Sequence, residues 1–209
     1  ENLLIVNKEP YIIVHPTQKK VDKTLANAVV NYFEKTLGKT LVPRFYNRLD
    51  MNTSGLIIVT KNAYTQAFLQ DKTEVKKTYK VIASGIIEED DFFIEIPIGK
   101  IGDDLRRIEL SEENGGKTAK THIKVLERNY DKNITFLEAR LYTGRTHQIR
   151  AHLSLIGHSL VGDELYGGNM ELAKRQMLHA YKLEFQNPKT LENLKIEIDI
   201  PLDMKEVLK

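Results

Sequence analysis

Arg48-Leu49-Asp50 sets a cation and a carboxylate two residues apart, just ahead of Thr53-Ser54-Gly55 and the apolar run Leu56-Ile57-Ile58-Val59. That order reads as a short polar connection entering a buried strand. A carboxylate at the mouth of such a strand is costly unless it is paired or working. Asp50 is therefore the first candidate for chemistry. The plainer reading is a turn, where Asp hydrogen-bonds its own backbone, and composition alone favours it.

A second cluster runs from Tyr142 to His152 and holds Arg145, His147, Arg150 and His152 without one acid; Arg140 lies just before it. His147 and Arg150 are three apart, so on a helix they share a face. A helix start also offers free backbone N–H groups and the positive end of the dipole. Such a surface suits phosphates or a single buried carboxylate, although most helical arginines are solvated or make weak surface pairs. His147 and His152 are five apart, which misses the i, i+4 spacing of a helical zinc pair, and no cysteine or His-Glu motif joins them. No metal site is expected. Tyr79 sits among alternating strand residues, where cross-strand packing is the ordinary role. None of these residues identifies a function singly.

The elements that must position them follow from periodicity. Leu3 to Val6 and Ile12 to Val14 read as short strands around the turn at Glu9-Pro10. Thr24 reads as an N-cap, Leu25, Val29, Phe33 and Leu37 recur every four residues, and Gly38 ends the helix. Leu56 to Thr60 is a strand, and Asn62 caps a helix reaching about Leu69. From Lys77 the period becomes two, with strands expected over Thr78 to Ser84, Phe92 to Ile98, Lys120 to Leu126 and Ile134 to Leu141. Gly99 to Lys117 is charged and ends in Asn114-Gly115-Gly116, as a loop or loose hairpin does. Thr146 is expected to cap a helix with Ile149, Leu153 and Ile156 on its apolar face, stopped by Gly157. Leu178 to Phe185 and Leu194 to Ile200 read as closing strands. The sum is an α+β architecture: a mixed, mainly antiparallel sheet core with a few packed helices.

The bulk properties narrow the field. A chain of 209 residues suits one domain, or two small subdomains sharing a sheet, and residues 1–209 are read as a single domain. A hydrophobic share of 41% against 29% charged excludes a disordered chain. The net charge of +2 does not announce a nucleic-acid binder, so any basic surface comes from local clustering. The absence of cysteine removes disulfides, thiolate nucleophiles and thiolate metal sites. No run reaches membrane-spanning length and no signal peptide is visible, so a soluble cytoplasmic protein is expected. The chain opens on Glu1-Asn2 rather than Met, which allows a segment upstream.

Taken together the motifs resemble the RluA-type pseudouridine synthase family, and they occur in the family's order over nearly the whole chain. Asn7-Lys8 with Val14-His15-Pro16 resembles its N-terminal strand pair. Arg48-Leu49-Asp50, Thr53-Ser54-Gly55-Leu56 and Lys61 resemble the signature around its catalytic aspartate. Lys77-Thr78-Tyr79 resembles the strand carrying its active-site tyrosine, and Gly144-Arg145-Thr146-His147-Gln148-Ile149-Arg150-Ala151-His152-Leu153 its third motif. Gly157-His158, Val161-Gly162-Asp163, Tyr166-Gly167, Leu178-His179-Ala180 and Pro201-Leu202 follow as in the family. Three departures stand out. Asn47 replaces the usual His before Arg-Leu-Asp, and Lys8-Glu9-Pro10-Tyr11 replaces Lys-Pro-x-Gly. Many members also carry an RNA-binding S4 domain in front, and none is expected within these residues.

The resemblance implies isomerisation of uridine to pseudouridine in structured RNA, ribosomal or transfer, with no cofactor. The bond from ribose C1′ to uracil N1 breaks and C1′ rejoins C5. Asp50 is implied as the ionised carboxylate that attacks C1′ or takes a sugar proton to give a glycal. Arg150 is implied as its partner, since a nearby opposite charge favours an ionised acid. Tyr79 is implied to stack on the uracil and Ile149 to supply an apolar wall. The nucleotide must be flipped out of its stack, and Arg48 is implied to fill the vacated space. Arg145, His147 and lysines near Lys76-Lys77 would meet phosphates. A monomer is expected, with RNA as the partner. Two rivals stand beside this reading. A non-catalytic RNA-binding protein of the same fold has no need of a carboxylate facing an anionic ligand. A glycoside hydrolase needs two flanking carboxyl groups, and none joins Asp50 in a matching motif.

Overall fold

The computed structural model describes residues 2–18 and 21–209. The chain divides into two units, Glu1–Val75 with Lys182–Ile198, and Lys76–Tyr181 with Asp199–Lys209.

In the first unit, β1 (Leu3–Lys8) is the expected opening strand. Ile12 to Val14 is not a strand. Pro10 and the left-handed Tyr11 (φ 66°) turn the chain. The carbonyls of Ile13 and Val14 then accept from the N–H groups of Leu25 and Ala26 at 2.9 and 3.0 Å. These carbonyls satisfy the open start of helix α1 (Leu25–Leu37) instead of a ladder. Thr24 caps α1 as expected, in a reciprocal box with Asn27, and Gly38 ends it at φ 63°. A two-residue strand, β2 (Arg44–Phe45), precedes β3 (Ser54–Thr60). β1 runs antiparallel to β3 from Leu3↔Thr60 to Lys8↔Gly55, and β2 also pairs with β3. Every residue of β3 is buried, as its unbroken apolar run predicts. Helix α2 (Ala63–Asp71) follows, with the Asn62 side chain accepting from Thr65 N–H at 2.8 Å. Leu56, Ile58, Leu69, Val75, Leu183 and Phe185 form this unit's core.

In the second unit, β4 (Lys76–Ser84) pairs with β9 (Ile134–Leu141), β9 with β8 (Thr121–Asn129), and β8 with β5 (Asp91–Ile94), all antiparallel. The run expected over Phe92 to Ile98 is split. Pro97 lacks a ladder donor, and beyond it β6 (Ile98–Gly99) pairs with β7 (Ile108–Glu109) in the loose hairpin expected there. Helix α3 spans Gln148–Leu155. β10 (Leu178–Gln186) contributes to both units and pairs with β11 (Asn193–Glu197) in the first. The strand expected over Leu194 to Ile200 therefore ends early, and Pro201 starts helix α4 (Leu202–Leu208). Met204 and Val207 of α4 join Ile82, Ile134, Val161, Ala173 and Met177 in a core. The α+β class is as expected. No helix among the described residues is long and apolar enough to cross a membrane.

Candidate active site

The Arg48-Leu49-Asp50 segment hangs on its middle residue. Leu49 is buried, Arg48 is exposed and Asp50 is half-buried. Anchoring one apolar side chain thus leaves the cation and the carboxylate on the accessible side of the backbone. The loop closes with Thr53 N–H donating to the Asp50 carbonyl at 3.1 Å. Two neighbours stiffen it. Asn47 donates from Nδ2 to Leu56 O (3.2 Å) and accepts at Oδ1 from Ile58 N–H (2.9 Å), bonding its side chain to the β3 backbone. Lys8 is 1% exposed, and its ammonium donates to the carbonyls of Glu9, Ile12 and Met51 at 2.8, 3.0 and 2.9 Å. A buried charge is tolerated only when so satisfied. One of these carbonyls belongs to the residue after Asp50. His15 packs edge-on against Phe45, with ring centroids 4.9 Å apart. Burial, and then the Arg48 guanidinium, hold the His15 imidazole below its usual pKa.

In the second unit, Tyr79 is 5% exposed and lies opposite Ala139, which lies opposite Ile123. Side chains alternate across a sheet, so Thr121, two residues from Ile123, points to the Tyr79 side. His152 of α3 uses both ring nitrogens, Nε2 donating to Ile96 O (3.0 Å) and Nδ1 meeting the Thr121 hydroxyl (2.9 Å). Helix α3 thus packs on the face that carries Tyr79. His152 is a structural peg with both nitrogens used, and burial lowers its pKa. Among the described residues no cluster of three or more His, Cys, Asp or Glu stands ready for a metal ion.

The start of α3 differs from the expected Thr146 cap. His147 is the N-cap residue, in a left-handed conformation (φ 56°, ψ 19°) and without a side-chain capping bond. A non-glycine residue held at positive φ stores strain that its surroundings must offset. Those surroundings are visible. Gln148, buried, accepts at Oε1 from the Arg145 N–H (2.9 Å) and the Thr143 hydroxyl (2.8 Å), and donates from Nε2 to Lys120 O and Thr121 Oγ1. This amide joins the motif loop to the start of β8, beside the Lys120 N–H bond to Thr143 Oγ1 (2.9 Å) and the Tyr142 N–H bond to Lys120 O (3.1 Å). Arg145 is exposed and donates from Nε to Thr118 O at 3.0 Å. The His147 ring meets Tyr166 edge-on at 5.8 Å, with Nδ1 3.2 Å from the phenol oxygen. Ile149 is buried.

Arg150 is buried and makes a side-on bidentate pair with Asp163, Nε to Oδ2 at 2.6 Å and Nη2 to Oδ1 at 2.8 Å. Its guanidinium also lies over the Tyr166 ring, 5.0 Å from the centroid. Burial raises the Tyr166 pKa, against the backbone N–H of Arg107 and the Arg150 charge. Sequence reasoning named neither Asp163 nor Tyr166 for a role, although both stand in motifs that resemble the family. The signal available was an acid in Val161-Gly162-Asp163, thirteen residues beyond Arg150 of a basic helix that contains none.

Of the sequence-derived site residues, Arg48 and Asp50 belong to the first unit. Tyr79, Arg145, His147, Ile149 and Arg150 belong to the second, the last three on one helix start that packs on the Tyr79 face. The first unit thus carries a half-buried carboxylate and an exposed cation, and the second a buried phenol, a clamped guanidinium and the exposed Arg145.

The family model for RNA pseudouridylate synthase matches residues 2–155. An uncharacterized RNA pseudouridine synthase of Bacillus subtilis (strain 168), YhcT, is 39% identical over 209 residues, spanning 99% of this chain and 68% of that protein. Ribosomal large subunit pseudouridine synthase D of Haemophilus ducreyi is 33% identical over 232 residues, spanning 100% of this chain and 67% of that protein. The solved structure of human RNA pseudouridylate synthase domain containing 1 superposes with a TM-score of 0.73 at 27% identity, covering 95% of this chain and 80% of that one. The chain belongs to the RluA-type family of RNA pseudouridine synthases, isomerases that convert uridine to pseudouridine in RNA.

Proposed function

We propose that this enzyme isomerises uridine in structured ribosomal RNA through Asp50. The observation that carries the reading is the lodging of Asp50: half-buried, next to an anchored Leu49, in a loop stapled by Asn47 and Lys8. A carboxylate held this way is already organised before substrate arrives. The ribosomal choice is supported by the name of the Haemophilus ducreyi relative; transfer RNA is the alternative substrate. Asp50 attacks C1′ or removes a sugar proton. The C1′–N1 bond breaks, C1′ bonds to C5, and the C5 proton is lost while N1 gains one. The sum is neutral in electrons and atoms, so the chemistry calls for no cofactor. Arg150 serves the step as its positive charge, Tyr79 stacks on the uracil, and Ile149 walls the base. Arg48 fills the gap left by the flipped nucleotide, while Arg145 and His147 meet phosphates. The enzyme works as a monomer in the cytoplasm.

The test is incubation with ribosomal and transfer RNA from cells lacking the protein, reading carbodiimide-dependent reverse-transcription stops. The parent is expected to introduce stops in ribosomal RNA, and Asp50→Asn to lose roughly 10³-fold or more in rate with an unchanged melting curve. Stops in transfer RNA alone reassign the substrate. An Asp50→Asn protein of near-parent rate ends the assignment of the carboxylate.

A further inference from the structure

Asp163 takes no part in the reaction as proposed, yet it is the most fully committed acid in the second unit. Its side chain is 1% exposed, and both carboxylate oxygens face the Arg150 guanidinium at 2.6 and 2.8 Å. Asp163 Oδ1 also accepts from the Tyr166 N–H at 3.4 Å, so the same carboxylate caps the short 3-10 turn Glu164–Tyr166. That turn brings the Tyr166 ring under the guanidinium at 5.0 Å. The Tyr166 hydroxyl accepts from the Arg107 N–H at 2.7 Å and meets His147 Nδ1 at 3.2 Å.

The guanidinium has five N–H bonds in one plane. Asp163 occupies the Nε–Nη2 edge, which fixes rotation within the plane, and the Tyr166 face fixes the tilt of the plane. The Nη1–Nη2 edge is thereby held in one orientation. A lysine at position 150 would accept neither constraint, because its ammonium is a point charge without an edge. The pair also removes most of the cost of burying Arg150.

We infer that Asp163 is the positioning residue for Arg150, presenting a single edge of its guanidinium to the catalytic step. The inference rests on the reading of Arg150 as a catalytic group and extends it. Without the carboxylate, the arginine keeps its charge and loses its aim, so the chemical step suffers while RNA affinity, carried by other cations, does not. Misplacement of a catalytic group by about 1 Å costs on the order of 100-fold.

The experiment measures single-turnover pseudouridine formation by the full chain, with RNA affinity read separately by filter binding. Asp163→Asn is expected to lower kcat roughly 100-fold with KM and Kd for RNA within about threefold of the parent. Arg150→Met is expected to lower kcat at least as much, and the double variant Asp163→Asn/Arg150→Met to fall no further than Arg150→Met alone, since residues acting as one unit are not additive. Additive losses, or a kcat for Asp163→Asn equal to the parent's, overturn the inference. Where Asp163→Asn does not fold at the assay temperature, Asp163→Glu takes its place; it keeps the charge and moves the carboxylate by one methylene. A parent-like kcat in that variant overturns the inference, and a loss that vanishes in the Arg150→Met background supports it. An inactive Asp50→Asn beside parent-like Asp163 variants leaves the proposed function standing and removes only the positioning role.

Discussion

At the scale of single residues, this protein holds its candidate carboxylate by small polar devices rather than by a large apolar cage. Asn47 is one of them. Its side-chain amide grips the β3 backbone, donating to Leu56 O and accepting from Ile58 N–H. Family resemblance puts a His here, and the Asn keeps one donor and one acceptor in reach. Truncation leaves two backbone groups of a buried strand unpartnered. Asn47→Ala is therefore expected to cost about 2 kcal/mol, read as a lower urea midpoint with an unchanged slope. Lys8 is the other device. Met at this position keeps the stem's volume but strips three carbonyls of their donor. Lys8→Met is expected to cost about 3 kcal/mol and to lower Tm by roughly 5–10 °C. A Tm within 2 °C or so of the parent would mean that water or a rearranged turn replaces the ammonium.

At the scale of elements, the legible parts were those whose periodicity and chemistry agree. Thr24, Gly38 and the four-residue apolar repeat between them define α1, and the all-apolar run after Gly55 defines β3. What escaped the sequence were partnerships set by tertiary reach. Ile13 and Val14 look like strand residues, but their carbonyls serve another element's open N–H groups. Helix α4 has seven residues, too few for a repeat to declare itself, and the preceding Pro201 was read as a family mark rather than a helix start. Among site residues, Asp50 stood out as a carboxylate at the mouth of an apolar strand, and Arg150 as part of a basic patch without an acid. Asp163 did not, because its pairing is made by a loop without periodicity. That loop depends on Gly162. Its φ is +74°, and a β-carbon there would lie 2.0 Å from the Arg175 carbonyl oxygen. The loop cannot relax outward cheaply, since Gly162 N–H donates to Asn169 O (2.9 Å), and Val161 donates to Ile82 O and accepts from Met177 N–H. Gly162→Ala combines left-handed strain with a backbone clash and is expected to cost about 3 kcal/mol or more, measured by equilibrium unfolding. The same variant should also lose activity at temperatures where it is folded, because the displaced segment carries Asp163.

At the scale of the whole molecule, histidines and carboxylates divide the acid range between them. His179 is 2% exposed, and burial, followed by the Arg175 guanidinium, pushes its pKa down to about 4 from an ordinary 6.5. Burial lowers the His152 pKa as well. A group whose folded pKa is depressed binds its proton first in the unfolded chain. Its stabilising contribution is therefore complete above pH 6.5 and drains away as pH falls towards the folded value. For His179 the difference corresponds to about 3 kcal/mol, lost between pH 6.5 and roughly 4. The carboxylates with resolved shifts act lower. The Arg106 hydrogen bonds hold the Asp104 carboxyl at about 2, and Lys205 lowers that of Asp199, so their surface contributions fade only below the ordinary carboxylate value of 3.8. The window between pH 6.5 and 4 thus reports mainly on buried imidazoles. Urea unfolding across that window should show a falling free energy, and His179→Asn, which keeps a polar side chain but cannot titrate, should flatten the fall while leaving the loss below pH 3.8 in place. An unaltered slope in His179→Asn would assign the acid sensitivity to the other two lowered imidazoles, His15 and His152, and a matching test of His152→Asn would single out the one whose ring nitrogens bind Thr121 and Ile96 and tie α3 to the Tyr79 face. In that case activity and stability would be lost together on acidification, because the helix that carries Arg150 would loosen in the same step.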